Sequence, residues 1–266
     1  MNNRITISIE NHVADVRLNR PDKMNALDED MFQAIIQAGK TLTEDASVRC
    51  VVLSGEGRGF CAGIDLSNFD ISNPKAISKE LILERTYGLA NKWQQVAWQW
   101  RELPVPVIAA VHGVSFGGGL QIMLGADIRY VAPDTKLAIM EMKWGLIPDM
   151  AGTQLMRHLI REDIIKELTY TRKIFSGEDA VKYGFATHVS DDPHADAMRL
   201  AKEIAANSPS AVVMAKQVIN QAPYLDAKAG LMLESEAQAS VLLETNQLEA
   251  VFASMQKREG KYEDFR

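Results

Sequence analysis

The chemistry available to this sequence is suggested first by three consecutive glycines at 117–119. They lie in a stretch from 107 to 126, where an apolar, β-branched segment is followed by the spacing of an apolar helix. Glycines at such a turn let another group approach the main chain closely and adopt positive φ angles at little cost. The first amides of the following helix lack intrahelical acceptors and lie at the positive end of its dipole. The stretch therefore predicts a site for negative charge, either a phosphate or a thioester oxyanion, unless it is only a tight turn.

A second glycine-rich turn favours the oxyanion interpretation. The loop GEGRGFCAGIDL follows an apolar strand at 48–54, and two acidic residues, Glu141 and Asp149, follow the triple glycine. Glu141 lies in an apolar stretch, where an unpaired buried carboxylate is costly unless it has a role. The alternative for Glu141 is an ion pair with Lys143 or Arg157. Two glycine turns, with acidic residues in the loops after the second, are the arrangement expected for oxyanion chemistry, in which backbone amides stabilise the oxyanion.

Two other motifs imitate known sites. Residues 113–117 read Gly-Val-Ser-Phe-Gly, a literal G-x-S-x-G between a strand and a helix, as in the nucleophile elbow of hydrolases. Such a hydrolase also needs an aspartate and a histidine later in the chain, and His158, His188 and His194 stand in unremarkable contexts. Ser115 is therefore most simply a turn residue. The run GEGRGF imitates a phosphate loop, but its third glycine is misplaced and no GK[ST] follows.

Composition narrows the class of protein and its partners. The chain has 266 residues, of which 47% are hydrophobic, enough for one large α/β core. Its net charge of −6, without a basic stripe, argues against nucleic acid and anionic membrane partners. Cys50 and Cys61 are the only cysteines and neither CxxC nor HExxH occurs, so we expect no disulfide framework and no metal. No apolar run approaches the ~20 residues that cross a bilayer, and residues 1–20 do not resemble a signal peptide, so a cytoplasmic location is expected.

The elements that must position these groups alternate between strands and helices. Alternating apolar residues predict a hairpin within residues 5–18, and Asp28 is a plausible N-cap for an amphipathic helix running to about Thr43. Residues 75–102 are predicted to form one long helical stretch, and the chain is predicted to be helical from Thr153 onward. This alternation is typical of right-handed crossovers around a mostly parallel sheet, with ligands bound beyond the carboxyl ends of the strands. The predicted fold class is α/β.

Three motifs, in this order and spacing, resemble the crotonase superfamily of acyl-coenzyme A enzymes. They are FCAGIDL at 60–66, IAAVHG and GGGL within 108–120, and EMKWGLIPDMAGT at 141–153. The resemblance implies a spiral core of ββα repeats over residues 1–200 and a C-terminal helical region at 201–266 for packing and oligomerisation. It also implies an acyl-CoA thioester substrate and a homotrimer or hexamer. Coenzyme A would enter only as part of the substrate, with no permanently bound cofactor.

The resemblance also assigns binding residues. The backbone amides of Ile64 and Gly118 would form an oxyanion hole for the thioester carbonyl, and one such donor is worth roughly 2.7–4 kcal/mol in the transition state. The coenzyme A moiety would be bound by the segment after the first hairpin and by the second glycine turn, at Lys23, Ala26, Ala62, Asp65 and Leu66. Lys23 is a candidate phosphate partner, although a lysine beside a Pro-Asp turn is commonly only solvated.

The acid and base residues distinguish between reactions of this superfamily. Hydratases of this superfamily share a pair of glutamates, and Gln121 occupies the first of those two positions in this sequence. A neutral amide carries no proton at useful pH, but it can position a group by hydrogen bonds. Glu141 matches the second glutamate. Asp149 matches an acidic residue of the dienoyl-CoA isomerases, although an aspartate after a proline is also a common turn residue.

These residues predict an enoyl- or dienoyl-CoA isomerase in which Glu141, alone or with Asp149, moves the proton. Gln121 would position a neighbouring group by hydrogen bonds and would not titrate. The nearest alternative is a 2-enoyl-CoA hydratase in which Glu141 activates a water held by Gln121. More remote alternatives are a serine hydrolase acting through Ser115 and a catalytically silent acyl-CoA-binding protein.

Overall fold

A six-stranded sheet forms the centre of the protein. The computed structural model describes residues 3–65 and 79–265. Its strands are β1 (Ile5–Glu10), β2 (Val13–Leu18), β3 (Cys50–Gly55), β4 (Val107–Val111), β5 (Val114–Phe116), β6 (Ile128–Val131), β7 (Lys136–Ala138) and β8 (His188–Val189). The main sheet has the order β1-β2-β3-β4-β6-β8, in which only the first pair is antiparallel. Strands β5 and β7 form a separate parallel pair beside it.

Helices connect and cover these strands. They are α1 (Glu29–Glu44), α2 (Lys79–Leu83), α3 (Lys92–Glu102), α4 (Gly118–Leu124), α5 (Gly152–Met156), α6 (Glu162–Thr171), α7 (Gly177–Tyr183), α8 (Pro193–Ala205), α9 (Pro209–Gln221), α10 (Ala227–Val241) and α11 (Thr245–Gln256). The predicted hairpin is confirmed, and the Asp28 side chain accepts from the Met31 amide as the N-cap of α1. The α/β fold class is likewise confirmed.

The single helix predicted over residues 75–102 is wrong within the described part of that range. Helix α2 ends at Leu83, and α3 begins only after Asn91. Between them, Gly88 has a φ of +61°, which a helix cannot accommodate. Asn91 and Gln94 then form a reciprocal capping box that starts α3. The predicted helical stretch is therefore two helices, separated by a segment that is not helical.

The central strands β3 and β4 of the main sheet are buried on both faces, whereas the edge strands β1 and β8 are largely exposed. Along β3, Val51 and Leu53 point into the larger core with α1, α3 and α4, whereas Cys50 and Val52 point to the opposite face. That second face is covered by α8 through its buried alanines at 197, 201 and 205. The expected boundary at residue 200 therefore falls inside α8, a helix that packs on the sheet.

Helices α9, α10 and α11 come after the last strand of the sheet and after α8 in the chain. Several large apolar side chains there are exposed: Leu231, Met232, Leu243, Phe252 and Met255.

No helix among the described residues is long and apolar enough to cross a bilayer. Within the same residues, no cluster of His, Cys, Asp or Glu has the composition of a metal site.

Candidate active site

The triple glycine connects β5 to α4, as its sequence predicts. Gly117 has a φ of +50°, and its carbonyl accepts the Gln121 amide at 3.0 Å. The C=O and N–H of one trans peptide group point in opposite directions, so the Gly118 N–H points away from the helix at its start. Within residues 3–65 and 79–265, no acceptor is bonded to that amide. Gly118 therefore presents a free donor at the positive end of α4.

The second glycine turn presents Ile64 in the same manner. The Gly63 carbonyl accepts the Leu27 amide at 2.8 Å, so the Ile64 N–H of the same peptide group is directed the opposite way. On the other side of Ile64, the Asp65 amide donates to the Leu27 carbonyl at 3.0 Å. In the described part of the chain, the Ile64 amide has no acceptor.

Small residues bring the two turns together. The Phe116 amide donates to the Cys61 carbonyl at 3.0 Å, which makes a parallel bridge between the turns. Any side chain at Gly119 would overlap that Cys61 carbonyl. A Cβ on Gly63, whose φ is +91°, would lie 3.7 Å from the Gly118 nitrogen and 2.8 Å from the Phe116 carbonyl oxygen. Only glycines permit this approach, which places the residue before Ile64 beside Gly118.

A cavity of about 400 Å³ opens at this junction. Both predicted oxyanion donors, Ile64 and Gly118, line it together with Glu141. The predicted coenzyme A residues that also line it are Lys23, Ala26, Ala62 and Asp65. Leu66 lies outside the described residues. Residues named far apart in the sequence thus surround one cavity.

Glu141 and Gln121 form a hydrogen-bonded pair behind the triple glycine. Gln121 is 2% exposed, and its Oε1 accepts from the amides of Met150 and Gly152, each at 2.9 Å. Only an oxygen can accept these two bonds, so the amide nitrogen must face Glu141. Gln121 Nε2 donates to Glu141 Oε1 at 2.6 Å. The glutamine is therefore locked as a donor to the carboxylate.

The environment of Glu141 favours a role in proton transfer. Glu141 is only 9% exposed, and its Oε2 has no hydrogen-bond partner within the described residues. Burial raises the pKa of Glu141 above its ordinary value, and the charge of Asp149 adds to that rise, while hydrogen bonds from the backbone and from Gln121 oppose it. A carboxyl with a raised pKa at a cavity wall is typical of a catalytic base. The predicted alternative, an ion pair with Lys143 or Arg157, does not form.

Asp149 and Lys23 occupy different surroundings. Asp149 is exposed and does not line the cavity, although partial desolvation raises its pKa and Glu141 senses its charge. Lys23 ends a short 3-10 turn at Pro21–Lys23 and lines the cavity with no ion-pair partner in the described residues. A lysine so placed is available to an anionic group such as a phosphate.

The structure contradicts the hydrolase motif. Ser115 is fully buried, and its hydroxyl contacts Met123 Sδ at 3.4 Å rather than a histidine. The nucleophile elbow requires an exposed serine with a histidine base. The serine hydrolase alternative is therefore wrong, because β5 directs Ser115 into the core.

Sequence reasoning missed the residues that aim the site. Leu27 fixes the Ile64 peptide, and Met150 with Gly152 fixes Gln121. All three act through backbone groups, which every residue carries, so no residue type signalled them. Trp144, 49% exposed at the cavity rim, was also missed.

Comparison with known proteins agrees with this geometry. A family model described as enoyl-CoA hydratase/isomerase matches residues 8–265. The chain is 32% identical to mitochondrial methylglutaconyl-CoA hydratase of Mus musculus over 92% of this chain and 77% of the relative. It is 31% identical to the mitochondrial Delta(3,5)-Delta(2,4)-dienoyl-CoA isomerase of Mus musculus, over 96% and 80% of the two chains.

Solved structures resemble the whole chain. An enoyl-CoA hydratase from Bacillus anthracis superposes with a TM-score of 0.87 at 30% identity, over 98% of this chain and 100% of that chain. The matches in sequence and in fold both extend through the two glycine turns and the Glu141 segment. The chain therefore belongs to the enoyl-CoA hydratase/isomerase family of the crotonase superfamily and is an enzyme of that family.

Proposed function

We propose that this enzyme moves a double bond of an enoyl-CoA thioester from C3–C4 to C2–C3, with Glu141 as its only proton carrier. The observation that carries this proposal is the Glu141–Gln121 pair. Glu141 lines the cavity beside the two free amides, and its neighbour Gln121 is an amide that cannot titrate. The Asp65 carboxylate also borders this cavity, but it is paired with Arg20 at 2.7 Å.

The reaction follows from the placement of these groups. The thioester carbonyl oxygen accepts hydrogen bonds from the Ile64 and Gly118 amides. Glu141 removes a proton from C2, and the electron pair of that C–H bond delocalises onto the carbonyl oxygen as an enolate. The protonated Glu141 then returns the proton to C4, and the double bond forms between C2 and C3. No water, oxidant or reductant is consumed.

Gln121 makes hydration less compatible with this site. The hydratase alternative needs Gln121 to hold a water for Glu141. Its oxygen is already occupied by two backbone amides, one of its N–H groups is bonded to Glu141, and the residue is almost fully buried. A water molecule in the cavity would therefore have to be held by groups other than Gln121.

The dienoyl reaction needs a second carboxylate because its proton leaves C2 and returns at C6. Asp149 is the candidate from the sequence, but it is exposed and lies outside the cavity wall. Moving the double bond from C3–C4 to C2–C3 requires only one carboxylate on one face of the acyl chain. Glu141 supplies that carboxylate. We therefore assign Asp149 an electrostatic effect on Glu141. The names of the relatives include both a hydratase and a dienoyl isomerase, and so favour neither reaction.

The same proposal includes substrate binding and assembly. Coenzyme A binds only as part of the substrate, with Lys23 near its phosphates. A homotrimer or hexamer would bury the exposed apolar side chains of α10 and α11. Cytoplasmic location stays a prediction from the sequence.

The proposal is tested with 3-enoyl-, 2-enoyl- and 3,5-dienoyl-CoA as substrates. We expect conversion of the 3-enoyl thioester, followed by ultraviolet absorbance of the conjugated product, and a loss of about 10²–10⁴ in kcat for Glu141→Gln. Ser115→Ala is the control and should retain activity. Full activity of Glu141→Gln would refute the mechanism, and hydration of 2-enoyl-CoA as the dominant reaction would establish the alternative.

A further inference from the structure

We propose that Arg20 is a positioning residue that aims the Ile64 oxyanion donor through its ion pair with Asp65. This inference rests on the proposed function, because it concerns how one donor of the oxyanion hole is held. It assigns to Arg20 and to the Asp65 carboxylate a role distinct from contact with coenzyme A.

The direction of the Ile64 N–H depends on Leu27. Leu27 donates to the carbonyl before Ile64 and accepts from the amide after it, so two bonds orient the peptide group between them. The oxyanion donor can turn only if the Leu27 main chain moves relative to the Ile64 loop. Whatever fixes those two segments against each other therefore fixes the donor.

Arg20 bonds to the neighbours of both segments. Its Nη1 donates to the Ala26 carbonyl at 3.0 Å, directly before Leu27, and to Asp65 Oδ2 at 2.7 Å, directly after Ile64. Its Nε lies 3.4 Å from Asp28 Oδ2, one residue past Leu27. The Arg20 side chain is only 11% exposed. The Arg20 guanidinium thus links the two segments on either side of the Leu27–Ile64 contact, and this contact orients the Ile64 N–H.

Asn25 also holds the Arg20 segment against the second glycine turn. It is fully buried with a φ of +54°, and its Oδ1 accepts the Arg20 amide at 2.7 Å. Its Nδ2 lies within 2.9–3.1 Å of three carbonyls of the second glycine turn, at Glu56, Gly59 and Phe60. The segment that carries Arg20 is therefore anchored before the guanidinium acts on Asp65.

The test compares Arg20→Gln with Arg49→Gln. Arg49 is a matched control because its side chain is 9% exposed and pairs with Asp264 at 3.1 Å, next to the opposite end of β3. We expect Arg20→Gln to lower kcat by roughly 10- to 100-fold with little change in KM, because a misaimed donor weakens only the transition state. Arg49→Gln should leave both constants unchanged.

A second readout separates aim from general stability. The stretching band of an isotopically labelled thioester carbonyl in bound butyryl-CoA, measured by difference infrared spectroscopy, reports polarisation by the oxyanion hole without any proton transfer. We expect a shift to lower frequency in the unmodified enzyme and a smaller shift in Arg20→Gln. Arg20→Lys should restore part of it, since lysine can reach one acceptor but not the fork of acceptors that arginine engages.

The outcomes distinguish this inference from the proposed function. An Arg20→Gln enzyme with an unchanged carbonyl shift and unchanged kcat overturns the role of Arg20 alone. So does an equal loss in Arg49→Gln. If Arg20→Gln fails to fold, Asp65→Asn replaces it, with the same expected losses. The absence of any carbonyl shift in the unmodified enzyme refutes the oxyanion hole itself, and with it both the proposed function and this inference.

Discussion

Gln121→Glu is expected to change the shape of the pH profile of isomerisation. The Met150 and Gly152 amides would hold one oxygen of the new carboxyl group, as they hold Gln121 Oε1 now. The other oxygen would replace the nitrogen that lies 2.6 Å from Glu141 Oε1. At this separation one proton is shared, so the pair ionises in two steps.

The size of the effect follows from Coulomb's law. Two carboxylates whose charges are about 4 Å apart repel by about 4 kcal/mol at an effective dielectric constant of ~20. This corresponds to about 3 pKa units between the two ionisations. With one charge on the pair, the introduced carboxyl group is protonated and donates to Glu141 as the glutamine does, and activity persists. With two charges, the enolate would form beside an extra anion, so activity should fall.

The unmodified enzyme should therefore show kcat/KM for 3-enoyl-CoA rising through one ionisation and reaching a plateau. That ionisation should lie above the ordinary glutamate value of 4.5, because burial raises the pKa of Glu141. Gln121→Glu should instead give a bell-shaped profile whose alkaline limb lies roughly 3 pH units above the acid limb.

The matched control exchanges the two side chains. Gln121→Glu combined with Glu141→Gln keeps one carboxyl and one amide, and we expect the alkaline limb to disappear from any residual activity. Hydration of 2-enoyl-CoA should increase only in the single variant, since it alone has two proton carriers. A Gln121→Glu profile that rises to the same plateau as the unmodified enzyme would refute the proposed coupling between residues 121 and 141.

Asp149→Asn should move the acid limb of the same profile to lower pH, because it removes a negative charge that raises the pKa of Glu141, and should leave the plateau unchanged. A plateau about 10²-fold lower would instead identify Asp149 as a proton carrier. Lys216→Met should lower the free energy of unfolding by about 1–3 kcal/mol, measured by denaturant titration, because the partly buried Asp127 carboxylate would lose its cation and keep the Val107 amide as a donor. Lys216 Nζ lies 2.7 Å from Asp127 Oδ2 and also donates to the Trp100 and Val105 carbonyls. Adding Asp127→Asn should recover part of the loss, and a single variant as stable as the unmodified protein would contradict this account.

Local patterns in the sequence predicted the local structure well. Alternating apolar residues in the hairpin and an aspartate before an amphipathic run depend on neighbours a few residues away, and both predictions are confirmed. The helical stretch predicted over residues 75–102 is interrupted between α2 and α3, where Gly88 has a positive φ that is incompatible with a helix. A single glycine within a stretch predicted to be helical does not by itself show that the backbone turns there.

For the site, the sequence by itself determined the residue types: two glycine turns that can expose amides, a glutamate at 141 and a glutamine that cannot titrate at 121. Only the tertiary structure decided their directions. Met150 and Gly152 turn Gln121 into a donor, Leu27 turns the Ile64 amide outward, and burial in β5 removes Ser115 from the chemistry. The physical reason is that every peptide group offers the same donor and acceptor. Which carbonyl meets which amide is set by segments far apart in the chain, and their meeting depends on the packed fold.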